Sequence, residues 1–436
     1  ILEASEHARK PGILQRLALG TSLHMPWAPG KDKGSVNGIV YSTQTDIDQV
    51  KRYLHYEKAY LSKALDPAFK DMTTWECRFI THDPYSDEDL AWVRKMMRNY
   101  RPDHITNPDY KWRYVRLVKS DVPYCSPTND PALGTPSQQH IALGGICGRR
   151  AYYARHVARA FGIPSRASTQ TGHGAMSHWT PDGWVVCLGA WWSNAWCGPQ
   201  GGLDFLLDSQ AREHEQAYMQ VLRAQWVGDA LGEKDVSIRH YGKGGGFWDG
   251  LAFHRKRAIV EDAKIVALDL AGGMKLGESD DLLGDEKGEA IEIPEQDKKI
   301  VIDETGLITV PAAACSKPRI STERITFMQS WGGGTQVHYQ RLGNRPELIR
   351  YTVEVPSAGK YQLTATVATV SDKQSVIFRL NRRTLLNVML PYTKGMWQQS
   401  EPETIELRKG RNSIMVTFRA PNRGVSIKAF QLKPVK

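Results

Sequence analysis

Gly144-Gly145-Ile146-Cys147-Gly148, then Ala158-Arg159-Ala160-Phe161-Gly162-Ile163-Pro164-Ser165-Arg166, then Gly172-His173, are the residues on which the reading of this chain turns. Two glycines hand over to a cysteine. Arg149 to Phe161 suits a helix, which Gly162 ends before Pro164. Residues 173–180 and 184–192 read as two strands joined by the turn Pro181-Asp182-Gly183. A cysteine is a useful nucleophile when held as thiolate, and a helix start and a nearby imidazolium both favour that anion. Cys147 stands at such a start. Backbone N–H groups of the turn, Gly148 among them, can hold an oxyanion. His173 follows past one helix and one connection. The plain alternatives are a small buried cysteine and a structural histidine.

With Gly183-Trp184-Val185-Val186, these residues resemble the transglutaminase-like superfamily, which includes peptide N-glycanases, bacterial transglutaminase-like proteases and tissue transglutaminases. The likeness covers about residues 138–190. It implies Cys147 as nucleophile and His173 as general base and acid. The activity implied is that of an amidase, peptidase or acyltransferase on a protein or peptide amide, with no metal and no organic cofactor. The family's Asp should fall near Leu188-Gly189, where this chain has no carboxylate. Without it the imidazole loses the partner that fixes its tautomer and favours its charged form. Asn194 is the candidate to orient His173, as an amide does in papain-like enzymes. His178, followed by Trp179, is the alternative base. Gln138 and Gln139 precede the Gly-Gly loop, and Gln139 is an oxyanion candidate, with loop hydrogen bonding as the other reading. Trp184, Trp191, Trp192 and Trp196 line a substrate groove or fill the core. The missing Asp also admits a second reading, a scaffold without turnover that serves binding or assembly.

Working outward, residues 1–44 read mainly as loop. Ile47, Val50, Leu54, Ala59 and Leu61 recur at near-helical spacing after Asp46 and Asp48. Residues 86–100 form a second helix, with Ser86 as N-cap and Leu90, Trp92, Val93 and Met96 as its apolar stripe. Pro102 to Gly134 is loop-rich, and Phe205 to Leu231 reads as one long amphipathic helix. After residue 299 the pattern turns to short β runs separated by Gly, Pro and Asn turns, which points to an all-β sandwich.

The run Tyr351-Thr352-Val353-Glu354-Val355-Pro356-Ser357-Ala358-Gly359-Lys360-Tyr361-Gln362-Leu363 resembles the strand pair of jelly-roll carbohydrate-binding modules. So do Gly395-Met396-Trp397 and Ile405 to Asn412. Such modules stack an aromatic ring on the pyranose face, and the resemblance implies Trp331, Tyr339, Trp397 and Asn422 as candidates. The fold class expected is therefore α+β: a transglutaminase/papain-like domain over 1–276, an acidic linker over 277–299 and a jelly-roll sandwich over 300–436. Its expected target is a polysaccharide or glycoprotein. A plain lectin-like surface protein, with the sandwich as main actor, is a third reading.

Composition fits these expectations. Charged residues make up 24% and hydrophobic residues 41% of the 436 residues, as in an ordinary globular protein. No apolar run approaches the roughly 20 residues that span a bilayer, so no transmembrane segment is expected. The formal charge is +10. Residues 277–299 hold nine acids and three lysines, a local −6, which leaves +16 on the rest. No nucleic-acid motif or zinc-finger spacing accompanies this basicity. The six cysteines form no CxxC pair, so a metal site is not expected. With Cys147 free, at most two disulfides can form. The chain opens on Ile1 rather than Met, which suits a processed product, and the expected location is secreted or cell-surface associated.

Overall fold

The computed structural model describes residues 1–24, 35–36, 39–40, 47–83, 85–106, 122–170, 173–186, 202–233, 246–266, 291–322, 324–340, 347–418 and 423–435. Helices and a small antiparallel sheet make up its N-terminal part, and a β-sandwich its C-terminal part.

The first helices are α1 (Ile13–His24), α2 (Gln49–Leu61), α3 (Thr74–Thr81) and α4 (Asp87–Tyr100). Between α1 and α2, the short strands β1 (Ser35–Val36) and β2 (Ile39–Val40) pair. α1 occupies a stretch expected to be loop. Its Ile13, Leu14, Leu17 and Ala18 are buried one turn apart, and that spacing outweighs the Pro11-Gly12 pair before it. The helix read from Thr45 begins at Gln49, where the Asp48 carboxylate accepts from the Val50 and Lys51 N–H groups. Ser86 caps α4 as expected, accepting from the Asp89 N–H at 3.1 Å.

Next come α5 (Asp103–Thr106), α6 (Pro136–Leu143) and α7 (Cys147–Ala160). They lead into a meander of β3 (Ser165–Gln170), β4 (His173–Thr180) and β5 (Gly183–Val186). α7 packs on β4, and α4 packs on α7. The single helix expected over Phe205–Leu231 is two, α8 (Gly202–Ala211) and α9 (Glu215–Ala230). At the break, the Asp208 carboxylate accepts from the Tyr218 hydroxyl at 2.5 Å and from Arg212 at 3.0 Å. α10 (Phe247–Asp262) completes a satellite core with Leu207, Tyr218, Val221, Ala252 and Val260.

The remaining strands run β6 (Val301–Ile302), β7 (Ile308–Pro311), β8 (Ile325–Gln329), β9 (Thr335–Tyr339), β10 (Ile349–Val355), β11 (Gly359–Thr369), β12 (Ser375–Leu380), β13 (Thr384–Met389), β14 (Gln398–Gln399), β15 (Glu403–Leu407), β16 (Gly410–Thr417) and β17 (Val425–Pro434). One sheet has the order β10-β16-β12-β13. In the other, β17 is central, with β11 on one side and β7 and β9 on the other. All these pairs are antiparallel. Along β10, Ile349, Tyr351, Val353 and Val355 are buried while Arg350 and Glu354 face outward, the period-2 pattern of a sandwich face.

The sandwich is seated on α4. The Trp92 Nε1–H donates to Lys394 O at 3.1 Å, Gln336 Nε2 donates to Asn99 O at 2.8 Å and the Ser426 hydroxyl donates to Tyr100 O at 2.5 Å. The Tyr100 and His338 rings meet edge to face at 5.0 Å. Ala368 and Val370 belong to the helical part's apolar core. Gly395 lies so close to α4 that a Cβ there would meet Met96 Cγ at 2.3 Å.

Candidate functional site

The turn before Cys147 needs both its glycines. Gly144 ends α6 at φ +76°, and a Cβ there would meet Pro123 O at 2.2 Å. The Gly145 N–H donates to Pro123 O at 2.9 Å, and the Cys125 N–H donates to Gly145 O at 3.3 Å. A Cβ on Gly145 would strike the Arg149 stem at 2.4 Å. The segment around Tyr124 can thus lie against the turn as a parallel bridge to Gly145. Ile146 is the N-cap residue, and its carbonyl accepts from the Arg149 and Arg150 N–H groups at 3.0 and 3.1 Å. Cys147 and Gly148 therefore hold the first two helical positions, whose N–H groups have no acceptor inside the helix and are of the kind that can hold an anion. Cys147 is half-buried. Behind it, the buried Arg149 donates to Thr128 O at 2.8 Å, and the Arg150 guanidinium lies 5.5 Å from the Tyr124 ring.

The far end of α7 explains the Gly-Ile-Pro signature. The Ile163 N–H donates to Ala158 O at 2.9 Å and the Gly162 N–H to Arg159 O at 2.8 Å, which is a Schellman cap. Gly162 has φ +75°, and a Cβ there would press on Phe69 at 2.7 Å. The chain then turns back along the helix. The Ser165 hydroxyl donates to Arg155 O at 3.0 Å, and the Arg159 Nη2 donates to Ser165 O at 2.7 Å, so β3 starts beside the last turns of α7. The helix runs about 20 Å and β3 returns about 17 Å. β4 begins at His173, paired with Gln170. Cys147 and the backbone of His173 thus lie at the same end of the helix–sheet layer.

The His173 side chain and residues Trp191, Trp192, Asn194, Trp196 and Asn422 lie outside the described residues, as does the Leu188-Gly189 position. Three expectations near Cys147 are corrected. Gln139 Oε1 accepts from the Asp130 N–H at 3.3 Å and Gln138 Oε1 from the Gly134 N–H at 3.1 Å, so both amides pin the preceding loop and neither is shown at an oxyanion site. The alternative base His178 is only 1% exposed, sealed in mid-sheet opposite Ser165 and Val185. Trp184 is 4% exposed. It packs against Phe79 and Phe205 at the hairpin end of β4, away from His173, so it is no groove wall for Cys147.

Sequence reasoning missed the polar core beneath α7. His156 Nδ1 lies 3.0 Å from Asp83 Oδ1, and its Nε2 lies 3.6 Å from Asp89 Oδ2. The Ser137 hydroxyl donates to Asp89 at 2.7 Å. The Arg52 Nη1 donates to the carbonyls of Thr81 and Asp83 at 2.9 and 3.0 Å. Burial pushes the Asp83 carboxyl up, but His156, Arg159 and Arg52 together hold it well below the usual carboxylate range. These partners are tens of residues apart and share no motif, so nothing in the sequence announces them. Among the described cysteines, no disulfide joins Cys77, Cys125, Cys147 and Cys315 to one another. Burial pushes the Cys77 thiol up, and that of Cys315 up to about 12.

On the sandwich, the expected residues divide. Trp331 is 52% exposed on the turn between β8 and β9, followed by three glycines. The Arg98 guanidinium of α4 lies 4.0 Å from its ring. Trp397 is half-buried against the helical core, with Lys428 Nζ 5.8 Å from its ring. Tyr339 is corrected: it is 3% exposed, tilted on Phe418 at 4.3 Å, and its hydroxyl donates to Glu347 O, so it presents no sugar platform.

No family description matches the chain, and no curated protein matches it. Solved structures do resemble part of it. The C-terminal family 6 carbohydrate-binding module of a marine laminarinase from Zobellia galactanivorans is 18% identical, over 29% of this chain and 98% of that one, at a TM-score of 0.25. A family 35 carbohydrate-binding module from Clostridium thermocellum is 14% identical, over 29% of this chain and 97% of that one, at the same score. The insecticidal crystal protein Cry2Aa is 11% identical, over 31% of this chain and 22% of that one, again at 0.25. Likenesses this faint do not decide what the chain binds.

Proposed function

We propose that this is a glycan-binding protein, secreted or surface-associated, whose C-terminal sandwich holds a polysaccharide or glycoprotein. One observation carries the reading: Trp331 is 52% exposed on a glycine-rich turn, so although the Arg98 guanidinium lies 4.0 Å from its ring, no side chain from positions 332–334 covers the rest. Indole faces of that kind suit the apolar face of a pyranose. Affinity electrophoresis against a panel of plant, algal and bacterial polysaccharides tests it. Retardation by at least one polymer, abolished in Trp331→Ala, is the expected result. Retardation by none, or retardation indifferent to that change, rejects it.

A second reading concerns the helical part, which the resemblance and the shared end of Cys147 and His173 favour as a transglutaminase-like thiol site. Cys147 would attack an amide carbonyl, His173 would take and return the proton, and the first N–H groups of α7 would hold the oxyanion. The absent family Asp argues equally for a scaffold without turnover. Iodoacetamide labelling separates the two in a background with Cys125, Cys187, Cys197 and Cys315 changed to Ser, where burial shields Cys77. Rapid labelling below neutral pH that is lost in His173→Ala supports catalysis. Labelling at the rate of an ordinary free cysteine supports the scaffold.

A further inference from the structure

At the hairpin end of β4 and β5, the helical part holds a cleft of about 1040 Å³. It lies at the opposite end of the layer from Cys147, roughly 20 Å away by strand length, and neither reading above uses it. We propose that this cleft binds a lysine- or arginine-bearing peptide segment.

Charge is the first argument. Among the described residues, the lining contains five carboxylates, three of them the exposed Asp182, Glu213 and Glu215, against one guanidinium, that of Arg212. That balance opposes the +10 of the whole chain. An acidic cleft on a basic protein attracts cations locally while the rest of the surface repels them.

The floor is the second. Trp75 Nε1 and Trp184 Nε1 are buried, and neither finds an acceptor among the described residues. Trp179 differs, since it hydrogen-bonds the Glu76 carboxylate. A buried donor left unpaired is costly, and an acceptor brought by a ligand removes that cost. Peptide carbonyls are such acceptors.

The third argument separates peptide from sugar. Trp75 stacks on Phe205 at 5.7 Å and carries the Arg212 guanidinium at 4.6 Å. Trp184 is met edge to face by Trp75, Phe79 and Phe205. These indoles are packed against protein rings, so the surface of the cleft offers carboxylates and the apolar Met219 and Leu222. A lysine stem fits apolar surface while its ammonium reaches the carboxylates.

Calorimetric titration of the full chain with hexalysine, a serine–glycine hexapeptide and chitohexaose tests the proposal. Hexalysine is expected to bind saturably and the other two not. Glu213→Gln with Glu215→Gln, both exposed, should weaken binding about tenfold with thermal unfolding unchanged. Glu292→Gln with Glu295→Gln, in the acidic stretch before the sandwich, should leave binding intact. No hexalysine binding, equal binding by the Glu213/Glu215 variant, loss in the Glu292/Glu295 variant or tighter binding of chitohexaose each overturns it.

Discussion

The two parts of this molecule hide very different things. The sandwich buries apolar side chains such as Tyr351, Val353, Phe378, Val416 and Leu432 and neutral polar ones such as Thr369 and Asn412, with no Asp, Glu, Lys or Arg among its buried described residues. The helical part buries Arg52, Asp83, Asp89, Arg149, His156 and Arg159 together with its apolar residues. One core is held by area removed from water, which is tolerant of detail. The other depends on each charge finding its opposite, since a buried ion stripped of its partner is far costlier than the pair was worth.

The largest effects should come from one substitution in each part. Asp83→Asn removes the carboxylate that faces His156 and Arg159, and is expected to cost about 3–5 kcal/mol. Phe378→Ala leaves a cavity in the sandwich and is expected to cost about 3–5 kcal/mol as well. Denaturant unfolding at neutral pH measures both. Equal losses there with unequal losses at acid pH would sharpen the contrast, and Asp83→Asn costing under about 1 kcal/mol would break it.

Acid should then tell the parts apart. Asp83 and Asp103 are held below their unfolded values by neighbouring cations. A depressed carboxylate stabilises the fold above its unfolded pKa, near 4, and that stability is lost as pH falls through the lower folded value. Burial, foremost, lowers His140, and lowers His55 to about 3. Each such histidine is neutral in the fold, so stability begins to fall once pH drops below about 6.5. The helical part is therefore expected to loosen first, with tyrosines near Asp83 exchanging before those of the sandwich. Hydrogen exchange at pH 5 against pH 7 checks this, and uniform loss across both parts would count against it.

Next in size, Gly162→Ala places a side chain at positive φ and against Phe69. It should cost about 2 kcal/mol, read as a lower Tm. The smallest effect expected is Arg257→Ala. Its exposed pair with Glu261 at 2.6 Å should contribute no more than about 0.5 kcal/mol.

The same contrast governs what could be read beforehand. Sandwich strands announce themselves because alternation along β10 or β16 is local. The Cys147 turn, the Gly162 cap and the Ser86 cap were legible for the same reason, each being a few consecutive residues with one conformational task. α1 is harder to read: Ile13, Leu14, Leu17 and Ala18 carry a helical spacing, but the Gly and Pro residues of the 1–44 stretch around them favour loop. The break at Arg212–His214 depends on Asp208 gripping Tyr218, a tertiary bond with no mark in the hydrophobic pattern. Burial also undid a candidate whose side-chain type was right: Tyr339 is aromatic, but its strand is buried along its whole length. The charged core was illegible altogether, since Asp83 and His156 are joined only by folding.

The seam along α4 has a mechanical meaning. An acidic stretch between two units suggests a tether, along which a catalyst could roam. Hydrogen bonds from Trp92, Gln336 and Ser426 fasten the halves instead, so whatever the sandwich grips is held at a set distance and bearing from Cys147. On the two proposed readings together, the protein would work as a caliper: a polymer anchored at one jaw would meet the thiol at one point along its length, and chain positions outside that span would go untouched.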